Sequence, residues 1–152
     1  MDRIDPQPAA GQVRVLRKRA FRAGQGRGDR VGMLAINSVD SLDVIFATWR
    51  IGAIHLALNF RLTPGELDYI IGNAEPDVLI YDRALSGTVE SLTVVVPHKV
   101  ETDGEGGESD FESRTAQAEP TLSMVDLEPD EQCMLMYSSG TTGLPKGVII
   151  TH

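Results

Sequence analysis

The chain has 152 residues, 41% apolar and 24% charged, enough for one ordinary domain with its own core, which excludes a wholly disordered or fibrous chain. Fourteen Lys and Arg against 22 Asp and Glu give a formal charge of −8, which argues against a surface built to coat nucleic acid. The lone cysteine, Cys133, excludes an internal disulfide and a cysteine metal cluster, and no apolar run approaches the roughly 20 residues of a membrane span.

The charge is unevenly spread. Residues 1–30 hold eight Lys and Arg against three acids, whereas residues 101–131 hold eleven acids against Arg114 alone. A basic start can mark nucleic acid or anionic lipid, but only Phe21 supplies an aromatic here, so no nucleic-acid partner is expected. The N-terminus lacks the apolar stretch of a secretory signal, and with one thiol the expected location is cytoplasmic.

In chain order, VRVLRKRAFRAG places Val13, Leu16 and Ala20 on one face between cations, and predicts an amphipathic helix ending at Gly24. The run Val31 to Ile36 predicts a buried strand. SVDSLDVIFATWRIG predicts a helix capped near Ser38, closed by Gly52, with Leu42, Ile45, Phe46 and Trp49 as its packing face and Trp49 as the anchor. AIHLALN predicts a second strand. In LTPGELDYIIGN, Thr63 and Glu66 have capping-box spacing, Pro64 suits the first helical position, and Gly72 or Asn73 is expected at the left-handed end.

DVLIYD predicts a third strand, RALSGTVESL a weak short helix and TVVVP a fourth strand. From Lys99 to Glu119 periodicity disappears into an acidic, Gly-rich stretch, expected to be a flexible surface loop without the carboxylate spacing of a calcium loop. CMLMY then predicts a further strand. Strands alternating with helices imply crossovers and an α/β fold with a mostly parallel sheet and flanking helices. His55 and His98 have no metal-ligand partners at usable spacing, so they read as structural and no metal site is expected.

The last strand runs into YSSGTTGLPKGVIITH. Ser138, Ser139, Gly140, Thr141, Thr142 and Gly143 place four hydroxyls and two glycines in six positions, with Lys146 shortly after. Glycines let successive backbone N–H groups face one point, hydroxyls add donors for phosphate oxygens, and a lysine offsets polyphosphate charge. The common P-loop does not fit, because Lys146 is followed by Gly147 and then by β-branched residues rather than by a helix. A phosphate-binding β-hairpin is predicted instead, against the plainer alternative of a solvated turn. His152 reads equally as a motif residue near substrate and as a frayed end.

This stretch resembles, across Tyr137 to Gly147, the phosphate-loop signature of the adenylate-forming AMP-dependent synthetase superfamily, which includes acyl-CoA and aryl-CoA ligases, luciferases and peptide-synthetase adenylation domains. A second stretch, GDRVGMLAINSVDSLDVIFATWRIGAIHLALNFRLTPGELDYIIGNAEPDVLIYD, is similar to the early part of the large N-terminal domain in that superfamily. The resemblance implies a partial N-terminal domain of an acyl-CoA synthetase-like fold. It divides the chain into an atypical basic segment (1–27), an α/β part (28–98), an acidic flexible loop (99–126), and a strand with the phosphate loop (127–152), after which the domain is expected to be cut.

The resemblance further implies ATP, Mg2+ and CoA as cofactors and a small carboxylic acid as substrate. Ser138, Ser139, Gly140, Thr141, Thr142 and Gly143 would cradle the β- and γ-phosphates, Lys146 would assist electrostatically, and Pro145 would fix the loop's exit. No catalytic residue of the family is expected within the chain, since its adenine pocket, magnesium acid, ribose acid, hinge and catalytic lysine lie further on. The implied reading is therefore a piece of an acyl-CoA ligase, inactive alone, with a fatty acid first and a hydroxycinnamate-type acid second. The alternatives are a non-catalytic nucleotide-binding or interaction module and a piece of an adenylation domain.

Overall fold

The first three short apolar runs become strands because each buries almost every residue between two layers of helix. A computed structural model describes residues 27–116, 125–138 and 143–152. In chain order they form β1 (Arg30–Leu34), α1 (Val39–Arg50), β2 (Ile54–Leu58), α2 (Pro64–Ala74), β3 (Val78–Asp82), a 3-10 turn (Arg83–Leu85), α3 (Ser86–Glu90), β4 (His98–Thr102), α4 (Asp110–Ala116), β5 (Gln132–Ser138) and β6 (Lys146–Thr151). The sheet order is β4-β3-β1-β2-β5-β6, parallel throughout except that β6 returns antiparallel to β5. The expected mostly parallel α/β sheet ending in a hairpin is therefore present. The basic helix expected over residues 13–24 lies outside the described residues.

One face of the sheet packs Val31, Met33, Val78 and Ile80 against Val44, Ala47 and Ile51 of the α1 side and Phe111 of α4. The other packs Leu34, Leu56, Leu79 and Leu135 against Leu67, Ile70, Ile71 and Ala74 of α2 and Val89 of α3. No helix among the described residues is long and apolar enough to cross a membrane.

Local signals hold well at α2. Thr63 accepts the Glu66 N–H, Glu66 accepts from the Thr63 N–H at 2.8 Å, and Pro64 opens the helix. Its end differs from expectation: the left-handed residue is Glu75 (φ 44°), not Gly72 or Asn73. Burial of Ile71 and Ala74 favours the extra turn, and the Arg30 guanidinium donates to the Ala74 carbonyl at 2.7 Å, satisfying a terminal acceptor.

Three other expectations are corrected. The buried face of α1 is Val44, Ala47 and Thr48, while Leu42 and Phe46 are 56% and 53% exposed and Trp49 is half-buried. Apolar residues run almost all round this helix, so periodicity does not choose a face. The sheet accepts the side with small residues, where Thr48 satisfies its own hydroxyl on the Val44 carbonyl at 2.6 Å. The fourth strand is not TVVVP but His98–Thr102, in register with Val78–Asp82. Asp68 of α2 accepts the Thr93 and Val94 N–H groups at 2.9 and 3.0 Å, so these donors need no sheet neighbour, and Pro97 has no N–H to give.

The stretch expected to be a loop from Lys99 onward carries most of β4 and all of α4. Phe111 is fully buried and anchors α4, and the Ser109 hydroxyl accepts the Glu112 N–H at 3.1 Å. Ser109 and Glu112 have capping-box spacing, a start signal hidden by the surrounding glycines and acids.

Candidate phosphate-binding site

Because β1 to β5 are parallel, their carboxyl ends share one edge of the sheet, the edge at which open α/β sheets bind ligands. Strand β5 delivers Ser138 to that edge and β6 starts back from it at Lys146. The antiparallel register sets Tyr137 opposite Gly147 and Ser138 opposite Lys146. Directly opposed residues sit about 5 Å apart at Cα, so one hydroxyl and one ammonium flank the hairpin mouth. Ser138 and Lys146 are exposed, and Lys146 makes no ion pair among the described residues. Gly143 has φ 106°, a conformation strained for any side chain.

Of the seven residues predicted to hold phosphate, the structure thus places Ser138, Gly143 and Lys146 at one mouth. Ser139, Gly140, Thr141 and Thr142 lie outside the described residues. Beside the mouth is an open cleft of about 310 Å³ at the ends of β2 and β5, walled by Leu58, Asn59, Leu62, Ile70, Met136 and Tyr137.

The hairpin is tied to the body from several sides. The Trp49 indole N–H donates to the Cys133 carbonyl at 3.0 Å, so the predicted anchor works as a hydrogen-bond donor to β5 as well as a packing group. Cys133 is buried, and burial raises its thiol above the ordinary range, against a role as nucleophile. His152 lies edge-on to Trp49 with ring centroids 6.1 Å apart, and its backbone N–H donates to the Glu131 carbonyl at 3.1 Å. Glu131 also pairs with Arg27, whose guanidinium holds the carboxyl below its usual value. His55 is buried in β2, its Nδ1 without a partner among the described residues, and burial lowers its pKa to about 4.

The Tyr137 hydroxyl donates to Asn73 Oδ1 at 2.5 Å, across 64 residues of sequence. Sequence reading gave neither side chain a role in the site, and no local signal pairs them; only the parallel register of β2 and β5 brings α2 beside the hairpin.

Chemically, the described mouth offers a hydroxyl, a left-handed glycine and an unpaired cation on an exposed sheet edge, a set suited to an anion of several oxygens. Among the described residues no group of three or more His, Cys, Asp or Glu is arranged to hold a metal ion. The described residues do not fit the magnesium implied by the resemblance, and no step is derived through it.

The fold itself is that of the N-terminal domain of acyl-CoA synthetases, present in part. The chain aligns with the inhibitor-bound N-terminal domain of FACL13 from Mycobacterium tuberculosis at TM-score 0.81 and 27% identity, over 95% of this chain and 35% of that one. It aligns with ATP-bound MatB from Rhodopseudomonas palustris at TM-score 0.77 and 32% identity, over 95% of this chain and 28% of the other.

The model of the AMP-binding enzyme family matches residues 18–152, and the chain belongs to that family. It is 36% identical over 135 residues to a long-chain-fatty-acid–CoA ligase of Thermus thermophilus, an alignment over 85% of this chain. It is 38% identical over 130 residues to a feruloyl-CoA synthase of an Amycolatopsis species, over 86% of this chain. In each case it spans 24% of the relative's own length.

Proposed function

We propose that the chain supplies the ATP-phosphate grip of an acid–CoA ligase. In that reaction a carboxylate oxygen attacks the α-phosphorus of ATP, the bond to the bridging oxygen breaks, and an acyl-adenylate and pyrophosphate form. The CoA thiol then attacks the acyl carbon, losing its proton, and AMP leaves. The departing pyrophosphate gathers negative charge, so fixed donors and a cation at the β- and γ-phosphates stabilise the transition state. Ser138, Ser139, Gly140, Thr141, Thr142 and Gly143 are assigned as donors to those oxygens and Lys146 as the cation.

The observation that carries this reading is Ser138 facing Lys146 at the hairpin mouth, on the carboxyl edge of the parallel sheet. A fatty acid is the proposed substrate class, supported by the likeness to the Thermus ligase. An aromatic acid is the second reading, favoured by the likeness to the feruloyl-CoA synthase.

Titration calorimetry of the purified chain with inorganic pyrophosphate and with ATP tests the grip. Weak binding that Lys146→Ala reduces at least about tenfold is expected, since one charge-assisted contact is worth roughly 1.5–3 kcal/mol. Equal binding by both proteins would reject the assignment. With ATP, magnesium and fatty acids, no pyrophosphate release is expected from this chain alone, and release would show that it carries more of the active site than is assigned here.

A further inference from the structure

Three features converge one residue before the hairpin mouth. Tyr137 lies opposite Gly147 in the ladder, next to the Ser138 and Lys146 pair. A Cβ built on Gly147 would lie 3.4 Å from Tyr137 Cζ, 3.6 Å from its hydroxyl oxygen and 3.3 Å from Leu135 Cδ1, so the phenol ring crosses directly over the Gly147 backbone. The hydroxyl continues to Asn73 Oδ1 at 2.5 Å, near the end of α2.

Asn73 is free for this contact because the helix does not use it as a terminator. The left-handed residue is Glu75, whose N–H bonds the Ile71 carbonyl, and Arg30 satisfies the Ala74 carbonyl. The body of the Tyr137 ring packs on the apolar cluster of α2 and the sheet. Burial raises its phenol above the ordinary value, so the hydroxyl remains a donor throughout the neutral range.

We propose that Tyr137 and Asn73, with Gly147 beneath the ring, form a latch that fixes where the chain leaves β5 at Ser138 and returns at Lys146, making both side chains positioning residues for the phosphate grip. Without the latch the two strand ends flanking the mouth lose their tie to α2 and must be ordered when the anion binds, which weakens binding. A Cβ at position 147 would meet the ring at contact distance and crowd Leu135 Cδ1 at 3.3 Å, so glycine there leaves room for both side chains to lie over the strand. Use of the latch for phosphate rests on the function proposed above.

The test takes the full chain and the variants Tyr137→Phe, Asn73→Ala and their combination, each checked by thermal unfolding. Inorganic pyrophosphate is the titrant, and amide hydrogen exchange at Ser138, Gly143 and Leu144 is followed without ligand. Each single variant should weaken pyrophosphate binding about fivefold, as expected for one net hydrogen bond, and speed exchange at these amides similarly. The double variant should lose no more than either single one, because both remove the same bond. Unchanged binding in both single variants, or losses that multiply in the double variant, would overturn the latch. If the unaltered chain binds no pyrophosphate, the phosphate reading fails by itself, and exchange alone decides: about fivefold faster in both variants supports the latch, unchanged exchange overturns it.

Discussion

His55 sits in β2 between Val31 of β1 and Met134 of β5, 2% exposed, with Nδ1 lacking a partner among the described residues. Burial lowers its pKa from 6.5 to about 4, so the fold prefers the neutral ring. The sign follows directly. At high pH the ring is neutral in both folded and unfolded chains, whereas below about pH 6.5 only the unfolded chain takes up the proton freely, and stability falls until the folded ring titrates near pH 4. A shift of this size is worth about 3 kcal/mol in full and about 2 kcal/mol by about pH 5. That is a large part of the ~5–15 kcal/mol stability of an ordinary domain.

The perturbation is His55→Leu, which keeps a similar volume and removes both the titration and the orphaned nitrogen. Urea denaturation of both proteins at several values from about pH 7.5 to about pH 5 should show the difference between them narrowing or reversing by about 2 kcal/mol in favour of leucine. Asp29 and Glu112, raised chiefly by burial, and Asp68, lowered chiefly by the Val94 N–H, titrate in both proteins and cancel in the comparison. Parallel stability curves for the two proteins across that range would refute the argument.

Phe111→Ala should cost about 3–5 kcal/mol in denaturant unfolding, because the ring is fully buried; a loss under about 1 kcal/mol would mean that α4 is not part of the core. Glu75→Gly should raise stability by about 0.5–1 kcal/mol, since a left-handed backbone at φ 44° strains a residue with a Cβ, and any loss measured by thermal unfolding would count against this. Among the described residues strand β6 has one unpaired edge, and it exposes Val148, Ile149 and Ile150 at 47%, 64% and 38%. Concentration-dependent light scattering should therefore fall in Ile149→Lys, and equal scattering by both proteins would remove edge pairing as the cause of association.

Features decided within a few residues were legible before any fold was known. The capping box at Thr63 and Glu66 and the apolar runs of β1, β2, β3 and β5 are set by local hydrogen bonds and local apolar density, and all were legible. So were the chemical types at the hairpin mouth, because a hydroxyl, a glycine and a lysine suit phosphate wherever they lie.

Tertiary structure decided the rest. It chose which face of α1 to bury, because Ala47 and Thr48 let the helix approach the sheet closely while bulkier Leu42 and Phe46 were left outside. It moved the fourth strand to His98–Thr102, because Asp68 of another helix satisfied the donors of TVVVP. It ordered Phe111 within an acidic stretch, because one buried aromatic ring contributes more than the surrounding polar residues oppose. The contact between Asn73 and Tyr137 depends on the sheet order, in which β2 lies beside β5 although β3 and β4 intervene in sequence. Register between distant parallel strands is fixed by packing on both faces at once, and no window of local sequence contains both faces.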